Sequence, residues 1–263
     1  MASRKDEKQS ARARRLAEGQ ARAERERRQR RNRMLGGIVV GAVVVVIAAV
    51  ALSSGGTPSG LAKNDKAQKA VVAQVGQLLS GIPQSGARLG NPKAPVVITY
   101  YGDLQCPSCA DFTLNGGFTQ LVANDVRSGK VQILYRAFET ATTDPATFQT
   151  QQAAALAAGG QQHFWNFTEL FYRQQGAEGT GYVTESYLDG LARQIPGLKY
   201  SAWLGARNSP TLVGQIQADK QAGTAVSVQG TPTLIAQGPK GKSQVPGAIP
   251  SYSQLEAAIK SVT

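Results

Sequence analysis

Cys106-Pro107-Ser108-Cys109 holds both cysteines of this 263-residue chain, one helical turn apart. Thiols at that spacing can make and break a disulfide with each other, and exchange with a third thiol runs through a mixed disulfide. Two plainer readings stand beside this one. A structural zinc site needs four Cys or His ligands, and the chain offers two cysteines and the distant His163. A purely structural disulfide closing so short a loop would constrain the unfolded chain little. No metal is called for.

The flanking residues say what positions the pair. Val96-Val97-Ile98-Thr99-Tyr100-Tyr101 is β-branched and aromatic, as a buried strand requires, and Gly102, Asp103 and Gln105 break it. Pro107 suits the first position of a helix, where its missing N–H costs nothing. The helix is predicted from Ser108 to about Val126, with Gly116-Gly117 its weak point. Cys106 then lies at the helix N-terminus, where unpaired backbone N–H groups and the helix dipole favour a thiolate. Cys109 lies on the same face but nearer the core. The expected roles are therefore an exposed nucleophile or electrophile at Cys106 and a resolving partner at Cys109, with Pro107 and Ser108 supporting the centre.

A second motif, Gly230-Thr231-Pro232-Thr233-Leu234, precedes another short apolar run. Pro232 there fits the first residue of a strand, and equally a cis peptide bond.

Taken together, the segments Leu89 to Ala94, Tyr101 to Cys109 and Val228 to Thr233 resemble the thioredoxin superfamily, and more closely its DsbA-like branch. The resemblance covers about residues 65 to 263. It implies an α/β thioredoxin-like fold with an inserted α-helical subdomain, and protein thiol:disulfide oxidoreductase activity carried by the two sulfurs without a cofactor. It also implies a cis Thr231-Pro232 bond facing Cys106, with the Thr231 backbone pairing to a bound extended peptide. Adding a strand to an open edge holds unfolded substrate with little sequence preference.

The region between the motifs fits that branch. Val131 to Phe138 reads as a strand, and Ala146–Ala158, Gln162–Arg173, Thr184–Gln194, Tyr200–Arg207 and Pro210–Ala222 read as helices. Phe164, Trp165, Phe167, Leu170, Phe171 and Tyr172 supply apolar contacts there, and His163 beside them reads as structural. Asn166-Phe167-Thr168 matches a glycosylation sequon, discounted because Phe167 reads as buried. Leu234–Ala236 and Ser243–Val245 read as strands, and Ser251–Ser261 as a closing helix.

Two positions depart from the family. The most oxidising members carry His where this chain has Ser108, which brings a hydrogen bond but no charge. Many members place a buried carboxylate six residues before the first cysteine, where this chain has Tyr100. Thioredoxin and DsbA differ by about 150 mV, or about 7 kcal/mol, a span that a few hydrogen bonds and one charge decide. These positions leave the direction of electron flow open.

Location arbitrates. Residues 34–52 are uncharged and apolar, giving roughly 28 Å of helix against a hydrocarbon core of about 30 Å. The preceding residues 1–33 hold 13 Lys/Arg and 5 Asp/Glu. The positive-inside rule then leaves the basic leader in the cytosol and exports everything after Leu52, into a compartment where disulfides persist. A cleaved signal peptide is the alternative, but the apolar run exceeds the usual length. Topology and anionic headgroups account for the basic leader more simply than nucleic-acid binding.

The expected organisation is thus a leader over 1–33, a transmembrane helix over 34–52, a linker and leading helix over 53–88, and a thioredoxin-like domain over 89–263. The helical insertion spans about 144–223. Asp65–Leu79 reads as an amphipathic helix through Val71, Val72, Val75 and Leu78. The expected protein is a single-pass, extracytoplasmic oxidase of exported proteins. Its expected partners are exported protein thiols or disulfides, a membrane redox partner and lipid along 34–52, with no nucleic acid. A reductase or isomerase supplied with electrons across the membrane uses the same residues, as does a tethered peptide-binding module with a static disulfide.

Overall fold

The computed structural model describes Leu61 and residues 65–263. The predicted leader over 1–33 and membrane span over 34–52 lie outside the described residues. Among the described residues, no helix is long and apolar enough to cross a membrane.

The chain opens with α1 (Asp65–Leu79), whose Val75 and Leu79 are buried. A hairpin of two-residue strands follows, β1 (Gln84–Ser85) and β2 (Arg88–Leu89), and then β3 (Val96–Gly102). The next elements are α2 (Pro107–Leu114), α3 (Phe118–Leu121), a π-helical turn over Val122–Val126, and β4 (Val131–Ala137). Five helices separate β4 from β5: α4 (Pro145–Gly159), α5 (Phe164–Arg173), α6 (Glu185–Arg193), α7 (Tyr200–Ala206) and α8 (Pro210–Ala225). The chain closes with β5 (Thr233–Gly238), β6 (Gly241–Gln244) and α9 (Tyr252–Val262).

The six strands form one sheet in the order β1-β2-β4-β3-β5-β6, with β3 and β4 parallel and every other pairing antiparallel. Successive strand residues point to opposite faces, so Val96, Ile98 and Tyr100 share one face and are buried on it. The register sets Ile98 beside Ile133 and Ala236, and Tyr100 beside Tyr135 and Leu234. It also sets Tyr101 opposite Thr233, which brings the residues before β5 to the end of β3 where the cysteine loop begins. Gly102 is required at that end, because a Cβ would lie 2.6 Å from Cε2 of Tyr135.

The predicted continuous helix to Val126 is corrected: α2 stops at Leu114. A Cβ on Gly117 would lie 2.5 Å from the backbone nitrogen of Tyr252, and the Gly117 N–H donates to the Pro250 carbonyl at 2.9 Å. The start of α9 therefore occupies the space a straight helix would need. Ser251 and Gln254 close a reciprocal cap at that same start.

The helices between β4 and β5 bury the aromatic cluster as core. Phe164, Trp165, Phe167, Leu170, Phe171 and Tyr172 are each at most 2% exposed. Asp144 begins this region by accepting from the backbone N–H groups of Ala146 and Thr147, and Pro145 occupies the first helical turn. His163 directly precedes α5 without capping it through its side chain, and its Nδ1 lies 3.4 Å from Oδ1 of Asn166.

Candidate active site

Cys106 is the N-cap of α2, with extended backbone, and Pro107 begins the helix as its residue type suggests. The Cys106 carbonyl accepts from the N–H groups of Cys109 and Ala110 at 3.1 and 3.2 Å, closing the first turn. That turn carries Cys109 directly beneath Cys106. Both thiols are free, and Cys109 is completely buried.

The expectation of an exposed Cys106 is corrected, because the residue is only 6% exposed. Its sulfur is covered from the strand side by the loop before β5. There the Thr231-Pro232 bond is cis, and the Cys106 thiol donates to the Thr231 carbonyl at 3.1 Å. Pro107 is exposed, Ser108 and Thr231 are half-buried, and Pro232 is buried. All six residues singled out in the sequence thus lie in one place, with Pro107 and Ser108 on its outer side.

The electrostatics separate the two thiols. Hydrogen bonding from the Cys109 thiol is the largest influence on Cys106, opposed by burial and assisted by the Thr231 hydroxyl and the backbone N–H groups of Cys109 and Ser108. The result lowers Cys106 from 9.0 to about 6. Burial, then the hydrogen bond and negative charge at Cys106, push Cys109 well above the ordinary thiol range. At neutral pH this is a thiolate over a thiol, the form from which exchange proceeds.

Linkage gives the pH dependence. A thiol ionising more readily folded than unfolded stabilises the fold in full above its unfolded value, and that contribution disappears as pH falls through the folded value. Reduced protein is therefore expected to lose stability between pH 9 and pH 6 relative to a Cys106→Ala variant. Urea midpoints of the two proteins across that range measure the difference, and parallel profiles would remove the thiolate from the account.

Tyr100 occupies the position where the family resemblance implies a carboxylate. It is fully buried, and its hydroxyl lies 3.5 Å from the Cys109 carbonyl and 3.4 Å from the Tyr172 hydroxyl. Its ring meets Phe112 and Tyr135 edge-on at 5.5 and 5.3 Å. Burial raises its hydroxyl well above the ordinary tyrosine range, so Tyr100 brings no charge to Cys109 where a carboxylate would.

Sequence reasoning passed over Asp103 as a strand breaker, yet its carboxylate is completely buried beside the cysteine loop. One oxygen accepts from the N–H groups of Thr140, Ala141 and Thr142, the other from Gln105 N–H, the Thr142 hydroxyl and the Gln151 amide. A lone Asp between Gly102 and Leu104 signals only a turn; apart from Gln105, its partners come from residues 37 to 48 positions later. Gln175 was also missed: its amide donates to the Leu104 carbonyl at 2.8 Å and to the Cys106 carbonyl at 3.3 Å. Among the described residues, no group of three or more Cys, His, Asp or Glu is placed to hold a metal.

Below the cis bond runs an open groove of about 300 Å³, lined by Gln229 to Thr233 on one side and Gln244 to Ala248 on the other. None of these groove residues is charged.

Comparison with known proteins agrees with this geometry. The family model described as Thioredoxin matches residues 84–261. The chain is 23% identical over 172 residues to the probable disulfide bond formation protein D of Bacillus anthracis, covering 65% of this chain and 75% of that protein. The crystal structure of oxidised BdbD from Bacillus subtilis superposes with a TM-score of 0.58 at 21% identity, over 69% of this chain and 96% of that one. The crystal structure of alpha-DsbA1 from Wolbachia pipientis gives 0.54 at 18%, over 70% and 92%. A free dithiol at a helix start beside a cis proline, on a sheet of this order and within a family match of this extent, places the chain in the thioredoxin family, with a fold shared by the DsbA structures.

Proposed function

We propose that the protein is a membrane-anchored, extracytoplasmic oxidase that introduces disulfides into exported proteins, with Cys106 as the exchanging sulfur and Cys109 as its resolving partner. The observation that carries this reading is the Cys106 sulfur set between the Thr231 loop and the buried Cys109 thiol, whose hydrogen bond is the largest influence lowering Cys106 to about 6.

The cycle begins with the Cys106–Cys109 disulfide. A substrate thiolate attacks Cys106 Sγ, the intramolecular S–S bond breaks, and Cys109 leaves as a thiolate that takes up a proton. A second substrate thiolate then attacks the substrate sulfur of the mixed disulfide, and Cys106 leaves as a thiolate. The substrate dithiol has lost two electrons and the Cys106/Cys109 pair has gained them. A low-pKa thiol leaves faster, and stabilising the reduced pair makes the disulfide more oxidising. A disulfide-bearing membrane partner accepts the two electrons and restores the starting state.

Extended substrate would lie in the uncharged groove below Thr231 and Pro232, held through main-chain hydrogen bonds. The anchor reading rests on the uncharged run of residues 34–52 behind a basic leader. The oxidase reading also draws on the relative named for disulfide bond formation.

Equilibration of the Cys106/Cys109 couple with glutathione tests the direction. An oxidase is expected to lie closer to about −120 mV than to the about −270 mV of thioredoxin. A value near the latter replaces the oxidase with a reductase. Labelling of Cys106 in intact cells by a membrane-impermeant maleimide tests location, and labelling only after lysis would overturn export.

A further inference from the structure

The buried Asp103 carboxylate takes six donors, more than a turn residue needs, and they come from three separate stretches of chain. On one side it holds the cysteine loop: Gln105 N–H donates to its Oδ1 at 3.0 Å, and Cys106 N–H donates to the Asp103 backbone carbonyl at 3.1 Å. On the other side Oδ2 gathers the N–H groups of Thr140, Ala141 and Thr142 at 2.8 to 3.0 Å. That second loop ends next to the cis-proline loop, where the Thr140 and Thr231 hydroxyls are hydrogen-bonded. Thr231 in turn meets the Cys106 sulfur: its carbonyl accepts from the thiol at 3.1 Å, and its side chain favours the thiolate. The path forms a closed ring from Cys106 through Asp103, Thr140 and Thr231 back to Cys106.

A hydroxyl has a single proton to donate. If Thr140 donates to Thr231, the Thr231 proton is left for the sulfur; without Thr140, that proton is free to turn elsewhere. We propose that Asp103 is a positioning residue for thiol exchange: by fixing the Thr140 backbone against the cysteine loop it aims the Thr231 hydroxyl at Cys106 Sγ, and touches neither sulfur itself. Asparagine is a poor substitute. Whichever way its amide is turned, an NH₂ group faces backbone N–H donors that need an acceptor.

The inference rests on the reading of Cys106 as the exchanging thiol, and its test reads the thiolate directly. Alkylation by iodoacetamide is followed against pH in the full-length protein. Asp103→Asn is expected to raise the Cys106 midpoint by about one pH unit, making alkylation about fivefold slower at pH 6, where the unmodified protein is near half ionised. Thr140→Val breaks the same ring at an exposed position and is expected to raise the midpoint in the same sense, slowing alkylation about twofold. A merely structural role for Asp103 lowers the melting temperature and leaves both midpoints where they were.

An unchanged Thr140→Val midpoint overturns the proposal even where Asp103→Asn fails to fold. Oxidation of a reduced substrate protein, measured separately on the unmodified protein, reports the oxidase reading. A failure there with shifted midpoints in the variants would leave the positioning role standing and remove the oxidase.

Discussion

Replacing Cys106 with serine is expected to reduce disulfide exchange to the uncatalysed background, while Cys109→Ser accumulates substrate-linked mixed disulfides. The asymmetry follows from burial and ionisation. With a value of about 6, Cys106 is about 90% thiolate at pH 7, against about 3% for an ordinary cysteine, a gain of about 30-fold in reactive form. Cys109 is fully buried, and its ionisation is opposed by burial and by Cys106. Serine at 106 removes the sulfur that touches the Thr231 carbonyl and leaves only the fully buried Cys109. Serine at 109 keeps a hydroxyl donor to Cys106 but removes the sulfur that would displace a bound substrate. Non-reducing gels of the two variants after incubation with a disulfide-bearing substrate protein, whose S–S bond the Cys106 thiolate breaks as the mixed disulfide forms, read the outcome directly. Adducts with Cys106→Ser, or equal activity in both variants and the unmodified protein, would replace exchange with a static peptide-binding module.

Trp203→Ala is expected to cost about 3–5 kcal/mol, the largest stability effect among the helices that separate β4 from β5. Trp203 is fully buried on α7, its ring 6.1 Å from Phe167 and 5.6 Å from Tyr200, with the Arg207 guanidinium 4.7 Å above it. Its indole N–H donates to the Ala154 carbonyl at 2.8 Å, tying α7 to α4. Alanine leaves a cavity among side chains that already fill the space, and it also leaves the Ala154 carbonyl without that donor. For a domain of this size the melting temperature should fall by about 6–20 °C. Trp203→Phe keeps most of the apolar volume and loses only the hydrogen bond, about 1 kcal/mol. Urea unfolding of both variants checks the order, and equal losses would mean that the hydrogen bond, not the volume, holds α7 in place.

Much of the architecture is legible along the chain because periodicity and caps are local. Pro145, Pro210 and Ser251 mark helix starts within a residue of where α4, α8 and α9 begin. The β-branched runs at Val96 and Val131 become the two central parallel strands. The hairpin of β1 and β2 is invisible at that level, since two residues carry no period; the backbone of Gly86 at φ 53° and pairing of Arg88 with Leu134 make it a pair of strands. Gln151 and Gln152, polar residues within the helix expected over Ala146–Ala158, are both buried, Gln151 reaching Asp103 and Gln152 reaching the Tyr135 hydroxyl.

The chain by itself determined the reactive centre's parts: two cysteines one turn apart, a proline that starts the helix between them, and a Thr-Pro pair ahead of a late strand. These are local facts, set by residue type and spacing. Only the folded chain decided their relations. The register of β3 and β5 brings Thr231 over Cys106, α9 ends α2 at Leu114, and Asp103 joins two loops that lie far apart in sequence. Distances between sulfur, carbonyl and hydroxyl depend on long-range pairing, which no stretch of adjacent residues encodes.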